Sequence, residues 1–393
     1  MLRVLDSFAG AGGFSLGFSM TNKCEVVGAI EIDDWAAETF RFNHPQAKVL
    51  VGDIQSYSEE ALLQEFQLVK PDIILGGPPC QGFSIANRKA GDPTDPRNSL
   101  FTEFIRLGKI FSPRIMVLEN VPNIVRARTH SGELVISIIK KELEAIGYSV
   151  EHMVLNATDY GVPQIRRRLF VVANRGDISR AFPPSTHCID DSNLHLYETK
   201  LKCPTLWDAI SDLPDVEARG GAEEMEYDKP AANEYQMSLR SNSQKVYNHT
   251  AMKHSRRMVE RFASMAWGDS VSDVPDHLKP LRRNGNGETA ISVYDQNNRR
   301  MEPNKPCHTI AASFYANFVH PFKQRNFTPR EGARIQSFPD SDVFKGKPTV
   351  VSQKLLHREE RFDEKHLGQY NQIGNAVPPL MAMSIAENLI EQL

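Results

Sequence analysis

Seven short apolar runs, separated by chain breakers, organise roughly the first 175 residues. Leu2–Leu5, Val26–Ile30, Lys48–Val51, Ile73–Leu75, Ile115–Leu118, Tyr148–Leu155 and Leu169–Ala173 each read as a strand. Between them, Phe14, Leu16, Gly17 and Phe18 open a helix, and Ser99–Phe111 and Leu134–Ile146 place apolar residues at helical spacing. Strands alternating with helices predict an α/β fold: a doubly wound, mostly parallel seven-stranded sheet with helices on both faces. From about Arg175 the texture shifts to prolines, acids and short segments. Asn284-Gly285-Asn286-Gly287 reads there as a tight turn before a strand-like Thr289–Tyr294. An amphipathic helix, Leu380–Leu389, closes the chain and is expected to pack back on the first domain. The expected division is therefore residues 1–176 with 368–393 as one domain, and 177–367 as a second, smaller one with hinges. Val343–Leu367 is charged, and its pattern assigns it no role.

The chemistry is expected at the strand ends, because open α/β sheets bind ligands beyond their carboxyl edges. The run Ile73–Leu75 stops at Gly76-Gly77, and Pro78-Pro79 then present Cys80. After the first strand, Gly10-Ala11-Gly12-Gly13 makes a glycine turn into a helix, with Ser15 in the third glycine's place of G-x-G-x-x-G. Glu31, about 20 residues on, ends the second strand, where an acid can accept both hydroxyls of a ribose. Glu119 ends the strand Ile115–Leu118, and an arginine cluster, Arg166 to Arg168, precedes the strand Leu169–Ala173. Ile85–Asn98 is rich in breakers and charge and reads as a long loop, expected to close over a bound partner.

Six motifs in order resemble those of the cytosine-5 DNA methyltransferases of the bacterial modification type: DSFAGAGGF (6–14), GPPCQGFS (77–84), ENV (119–121), QIRRR (164–168), REGARIQSFPD (330–340) and GNAVPP (374–379). They run from the first strand nearly to the last residue. The resemblance implies the S-adenosylmethionine-dependent methyltransferase fold and transfer of a methyl group to carbon 5 of a flipped-out cytosine in duplex DNA. S-adenosylhomocysteine would be the product, and Cys80 the nucleophile adding to carbon 6. Glu119, Arg166 and Arg168 would complete the catalytic set. Phe8, Gly10, Gly12, Glu31, Ile32, Asp53, Ile54, Pro79, Asn375 and Ala376 would seat the cofactor, with Asp53 accepting from the adenine amino group and the Ile54 amide donating to the ring. The REGARIQSFPD block would support the recognition domain. The base that removes the carbon 5 proton is not assigned.

Composition changes the picture in two places. Five cysteines without a C-x-x-C, and histidines without ligand spacing, indicate neither a disulfide framework nor a zinc site, so no metal is expected. The net charge of −3 does not advertise nucleic-acid binding. Any DNA contact then falls to a local patch. Between Gln236 and Lys305, Arg240, Lys245, Lys253, Arg256, Arg257, Arg261, Lys279, Arg282, Arg283, Arg299, Arg300 and Lys305 outnumber the acids by about five, whereas 198–234 is acidic. No apolar run approaches the roughly 18 residues that cross a bilayer, and the chain enters its first strand at once, so a cytoplasmic protein is expected; a monomer is also expected. Its partner would be double-stranded DNA. A cognate restriction endonuclease would act on the same site without forming a stable complex. Three other readings stay open at this point: a transfer-RNA methylating relative, an inactive DNA-binding relative, and a small-molecule methyltransferase on the same sheet.

Overall fold

All seven apolar runs become strands of one sheet in the computed structural model, which describes residues 1–66, 70–79, 100–129, 132–189, 200–241, 243–281, 289, 297–349, 353–361 and 365–393. The strands are β1 (Leu2–Ser7), β2 (Cys24–Glu31), β3 (Lys48–Val51), β4 (Ile73–Gly76), β5 (Ile115–Asn120), β6 (Ser149–Asn156) and β7 (Arg167–Asn174). They lie in the order β3-β2-β1-β4-β5-β7-β6. β1 to β5 are mutually parallel, while β7 runs antiparallel to both β5 and β6. The strand order reverses between β1 and β4, so the crevice outside their carboxyl ends is where such a sheet takes a ligand.

Burial explains why these segments became strands. Every residue of β4 is buried, and β5 is buried except at Glu119. Both stand in the middle of the sheet, covered on two faces. β6 is an edge strand and keeps Glu151, His152 and Met153 exposed. The helices of this unit are α1 (Gly13–Ser19), α2 (Asp34–Asn43), α3 (Glu59–Phe66), α4 (Leu100–Phe111) and α5 (Val135–Ala145). α4 buries Phe104, Ile105, Leu107 and Phe111, and α5 buries Val135, Ile136, Ile139 and Leu143, in one cluster with Ile74, Met116 and Leu118. Each such side chain is stabilised by roughly 1.5–3 kcal/mol on leaving water. Asp33 caps α2 by accepting from the Ala36 amide at 3.0 Å, a contact of about 1 kcal/mol.

The C-terminal helix, Pro379–Ile390, packs on α1 as its pattern suggested. Gly17 makes that approach possible: a Cβ there would stand 2.4 Å from the Ala382 Cβ. Chain contacts divide the protein into a first unit, 1–161 with 166–201 and 376–393, and a second, 162–165 with 202–375. The first unit thus runs on to Leu201, beyond the 176 expected, and regains the chain at Ala376 rather than at 368.

The second unit is held by buried ion pairs. Arg334 bonds both Asp340, at 2.6 Å, and Asp212, at 3.0 Å, with all three side chains fully buried. Arg325 pairs with Glu331 at 2.7 Å on the helix Pro329–Ile335, where Thr328 and Glu331 form a capping box. The REGARIQSFPD block is therefore scaffold. Phe344, near the start of the segment that had no account, is bound through its amide and carbonyl by Asn248 at 2.8 and 2.9 Å. The predicted turn at 284–287 and most of the strand 289–294 lie outside the described residues, apart from a bridge between Thr289 and Leu281.

The expected basic patch is only partly a surface. The Arg300 guanidinium is buried and donates to the carbonyls of His320, Pro321, Lys323 and Phe262. Arg261 donates to Leu278 at 2.6 Å, and Arg240 pairs with Asp212 over the Tyr227 ring. These three serve the fold. Arg256, with its side chain 94% exposed, faces solvent and pairs with Glu260 at 2.9 Å, whereas Arg282 and Arg283 lie outside the described residues.

Candidate active site

At the end of β1 the chain turns through two left-handed residues, Phe8 at φ 61° and Gly10 at φ 54°, before Gly12, at φ 84°, caps α1. For a bulky side chain such as Phe8 this backbone costs about 1–3 kcal/mol, and such strain gathers at ligand clamps. Gly12 has a second reason to be glycine. A Cβ there would lie 3.0 Å from both the His44 Nε2 and the Phe40 ring.

Glu31 closes this turn. Its Oε2 accepts from the Gly10 amide at 2.7 Å, and its Oε1 accepts from the amides of Ile32 and Asp33, both at 2.9 Å. Burial raises the Glu31 pKa, and the three amides oppose the rise. Two amides fill Oε1, so the acceptor left open is a lone pair on Oε2. Ser15, in the place of the third glycine, donates to the buried Asp6. The Asp6 carboxyl is pushed up to about 7, chiefly by burial, with Glu31 adding to the rise.

The third strand delivers Asp53 and Ile54. Asp53 is exposed and its carboxylate accepts from Gln55 at 3.0 Å, capping a short 3-10 turn, Ile54–Ser56, whose first residue is buried. Ile32 is 68% exposed beside Glu31. Phe8 packs its inner side against the main core cluster.

On the other side of β4 stands an acid held by a guanidinium. The Arg168 Nε lies 2.9 Å from the Glu119 Oε1, both side chains nearly buried. The Glu119 Oε2 faces β4, 3.6 Å from where a Cβ on Gly77 would stand. Burial raises the Glu119 pKa, while Arg168 and then Arg166 pull it back. The ion pair alone would favour carboxylate. Burial of the acid outweighs it, so the net direction is upward. Arg166 is 1% exposed and its Nη2 donates to the Ala376 carbonyl at 3.0 Å. Burial and the neighbouring Arg168 lower its pKa well below the usual arginine range.

The sheet thus brings Phe8, Gly10, Gly12, Glu31, Ile32, Asp53, Ile54, Pro79, Glu119, Arg166, Arg168 and Ala376 into one unit. Cys80 and the loop 85–98 lie outside the described residues. Asn375 ends the helix Gln369–Asn375 in the second unit. One residue with a visible part in the site had no role in the motif reading. Asn120 donates from its amide to the Pro78 carbonyl at 2.9 Å and accepts from the Val121 amide at 2.8 Å. The only signal for it was its place after Glu119 in ENV. A cavity of about 300 Å³ in the second unit, lined by Lys253, His254, Tyr315 and Asn326 among others, contains none of the expected catalytic or cofactor residues. Among the described residues no cluster of His, Cys, Asp and Glu could hold a metal ion, and no helix is long and apolar enough to cross a membrane.

The sequence profile of C-5 cytosine-specific DNA methylases matches residues 2–391. The chain belongs to that family. Within it, the chain is 44% identical over 391 residues to the type II methyltransferase M.DdeI of Desulfomicrobium norvegicum, covering 99% of this chain and 88% of that protein. It is 32% identical over 391 residues to M1.HphI of Haemophilus parahaemolyticus, covering 99% and 87%. A crystal structure described as a DNA modification methyltransferase encoded within an Escherichia coli prophage superposes with a TM-score of 0.70 at 25% identity, covering 100% of this chain and 99% of that one. This cytosine-5 methylase therefore has the α/β sheet of the methyltransferase fold, and the matched span contains all six motifs.

Proposed function

We propose that the protein is a type II modification enzyme that transfers a methyl group from S-adenosylmethionine to carbon 5 of a cytosine in a specific duplex DNA sequence, with Cys80 as covalent nucleophile. One observation carries this reading. The Gly10–Gly12 turn with Glu31, and the Glu119–Arg168 pair, flank the end of β4 along one sheet edge, and β4 runs through Gly77-Pro78-Pro79 into Cys80.

The donor set suits adenosylmethionine. Glu31 offers an acceptor to ribose hydroxyls, Asp53 and the Ile54 amide offer an acceptor and a donor to a purine edge, and Phe8 offers a ring face. The glycine turn at the α1 terminus offers amides to a carboxylate. Bound there, the cofactor would supply an electrophilic methyl on a sulfonium sulfur.

Carbon 5 of cytosine is a poor nucleophile until the ring is activated. The Cys80 thiolate forms a bond to carbon 6, and the ring π electrons move toward nitrogen 3, which takes the proton held by Glu119. Carbon 5, now part of an enamine, becomes the nucleophile. Carbon 5 would take the methyl as its bond to the donor's sulfur breaks; loss of the carbon 5 proton to a base, departure of the Cys80 sulfur as thiolate and return of the nitrogen 3 proton to Glu119 then restore the aromatic ring. Arg168 fixes the direction of Glu119, and the two guanidiniums favour a thiolate, which a thiol near pKa 8.5 reaches only in small part at neutral pH. Carbon 6 is shielded inside a stacked duplex, so the base has to be flipped out at a cost of a few kcal/mol. The second unit, 162–165 with 202–375, would supply the recognition contacts and phosphate binding that offset this.

The test uses the full chain, S-adenosylmethionine and duplex DNA containing 5-fluorocytosine. A denaturation-resistant protein–DNA adduct is expected, lost in Cys80→Ala. Absence of the adduct in the unaltered protein, or its persistence in Cys80→Ala, would overturn covalent catalysis by this residue. Bisulfite sequencing of DNA from expressing cells identifies product and site, and methyl incorporation into transfer RNA instead of DNA would replace the substrate.

A further inference from the structure

Arg106 occupies α4, far in sequence from the nucleotide-facing loops, yet its side chain reaches one of them. Its Nη2 donates to the Ile54 carbonyl at 3.0 Å, across 52 positions of sequence. The same guanidinium is braced by Glu103, with Nε 2.7 Å and Nη2 2.6 Å from Oε2. Ile54 opens the 3-10 turn, and the Asp53 and Ser56 side chains fasten its other side: Ser56 Oγ donates to the Asp53 carbonyl at 2.6 Å, and Asp53 accepts from Gln55. Within the turn, the Ile54 carbonyl otherwise receives only a long 3.4 Å contact from the Tyr57 amide. The charge-assisted bond from Arg106 is the stronger hold on it.

The geometry points to Arg106 as a positioning residue of the adenine subsite: it holds the Ile54–Gln55 peptide, whose Gln55 N–H bonds the Asp53 carboxylate, and so aims the acceptor that reads the hydrogen-bonding edge of the purine beside the Ile54 amide. This rests on the cofactor seat proposed above. It adds that the seat is fixed from α4, the helix that begins at Leu100, directly after the sequence stretch containing Cys80. A guanidinium suits the task because its planar fork can hold a carboxylate and a carbonyl at once, which the single ammonium of lysine does less well.

The experiment is calorimetric, without DNA, on the full chain with S-adenosylhomocysteine and its hypoxanthine counterpart, S-inosylhomocysteine, which presents a carbonyl in place of the amino group. The unaltered protein is expected to prefer the adenine ligand by about tenfold or more, since a site built to pair with a polar edge rejects the mismatched one. Arg106→Met should lose about tenfold in affinity for the adenine ligand and little for the hypoxanthine one, so the preference collapses toward unity. Arg106→Lys should retain an intermediate preference. Circular dichroism melts check that each variant is folded. If Arg106→Met does not fold, Arg106→Lys and Glu103→Gln carry the test, each with an expected partial loss of preference. A folded variant with undiminished preference, or equal loss for both ligands, overturns the role of Arg106. An unaltered protein that binds both ligands equally overturns the adenine seat itself.

Discussion

The side-chain amide of Asn120 donates to the carbonyl oxygen of Pro78 at 2.9 Å, joining the ends of two neighbouring parallel strands. Pro78 lies two residues before Cys80. Asn120→Ala leaves a buried carbonyl without this donor, at a cost of about 1–3 kcal/mol. Adduct formation with 5-fluorocytosine DNA is expected to slow by about tenfold or more. S-adenosylhomocysteine affinity should fall far less than the adduct rate, because Glu31 and its amides are untouched and only Pro79 of the cofactor seat adjoins Pro78. An unchanged adduct rate would remove Asn120 from the positioning of the nucleophile.

The role proposed for Glu119 makes a pH prediction. In that mechanism Glu119 acts while protonated, so activity would be lost as pH rises through its pKa, and Arg168 holds that pKa down. Arg168→Leu should therefore move the alkaline limb of the kcat profile upward, by about a unit or more, while lowering the maximum. A limb that moves down, or stays in place, would show that Glu119 is not the titrating group.

Asp6 makes a stability prediction of known sign. Its folded pKa is raised from 3.8 to about 7, so the folded state binds the proton more tightly than the unfolded one. The associated stabilisation is complete below about pH 4 and is lost as pH rises through 7. Asp6→Asn keeps a partner for Ser15 and has no charge to bury. Relative to the unaltered protein, its urea-unfolding free energy should improve between pH 4 and 8, by at most about 4 kcal/mol. His44, held down to about 4 by burial, titrates with the opposite sign but is common to both proteins and cancels in the difference. A difference that does not vary with pH would refute the buried charge.

In the second unit, exposure separates two arginines of the same stretch. Arg256→Gln should reduce the slope of log affinity for DNA against log salt by about one, with no change in thermal stability. Arg300→Gln withdraws donors from four carbonyls and should instead lower the melting temperature. Equal salt slopes for Arg256→Gln and the unaltered protein would take that side chain out of the interface.

The strands were legible because each is an apolar run bounded by glycine, proline or charge. The Gly10–Gly12 turn and Glu31 announced themselves by spacing. The pairing of Arg168 with Glu119 was not legible, since the partners lie far apart in sequence and meet only through the antiparallel placement of β7, which apolar patterning does not encode. Asn120 and Arg106 escaped for another reason. Their partners are the backbone carbonyls of Pro78 and Ile54, groups present at every residue and therefore without a signature. The basic stretch misled in the same way. Formal charge does not tell whether a guanidinium faces solvent, as Arg256 does, or is turned inward to satisfy carbonyls, as Arg300 is.

The reversed direction of β7 has a consequence for how charge is assembled. Parallel strands can deliver to the reactive rim only the residues with which they finish, and here those residues include the acids Glu31 and Glu119. A strand travelling the other way delivers the residues with which it starts, and β7 starts at Arg167 opposite Asn156, with Leu169 opposite Asn120. One inverted ribbon thus imports cations to a border otherwise supplied with anions, without any long loop having to bend back.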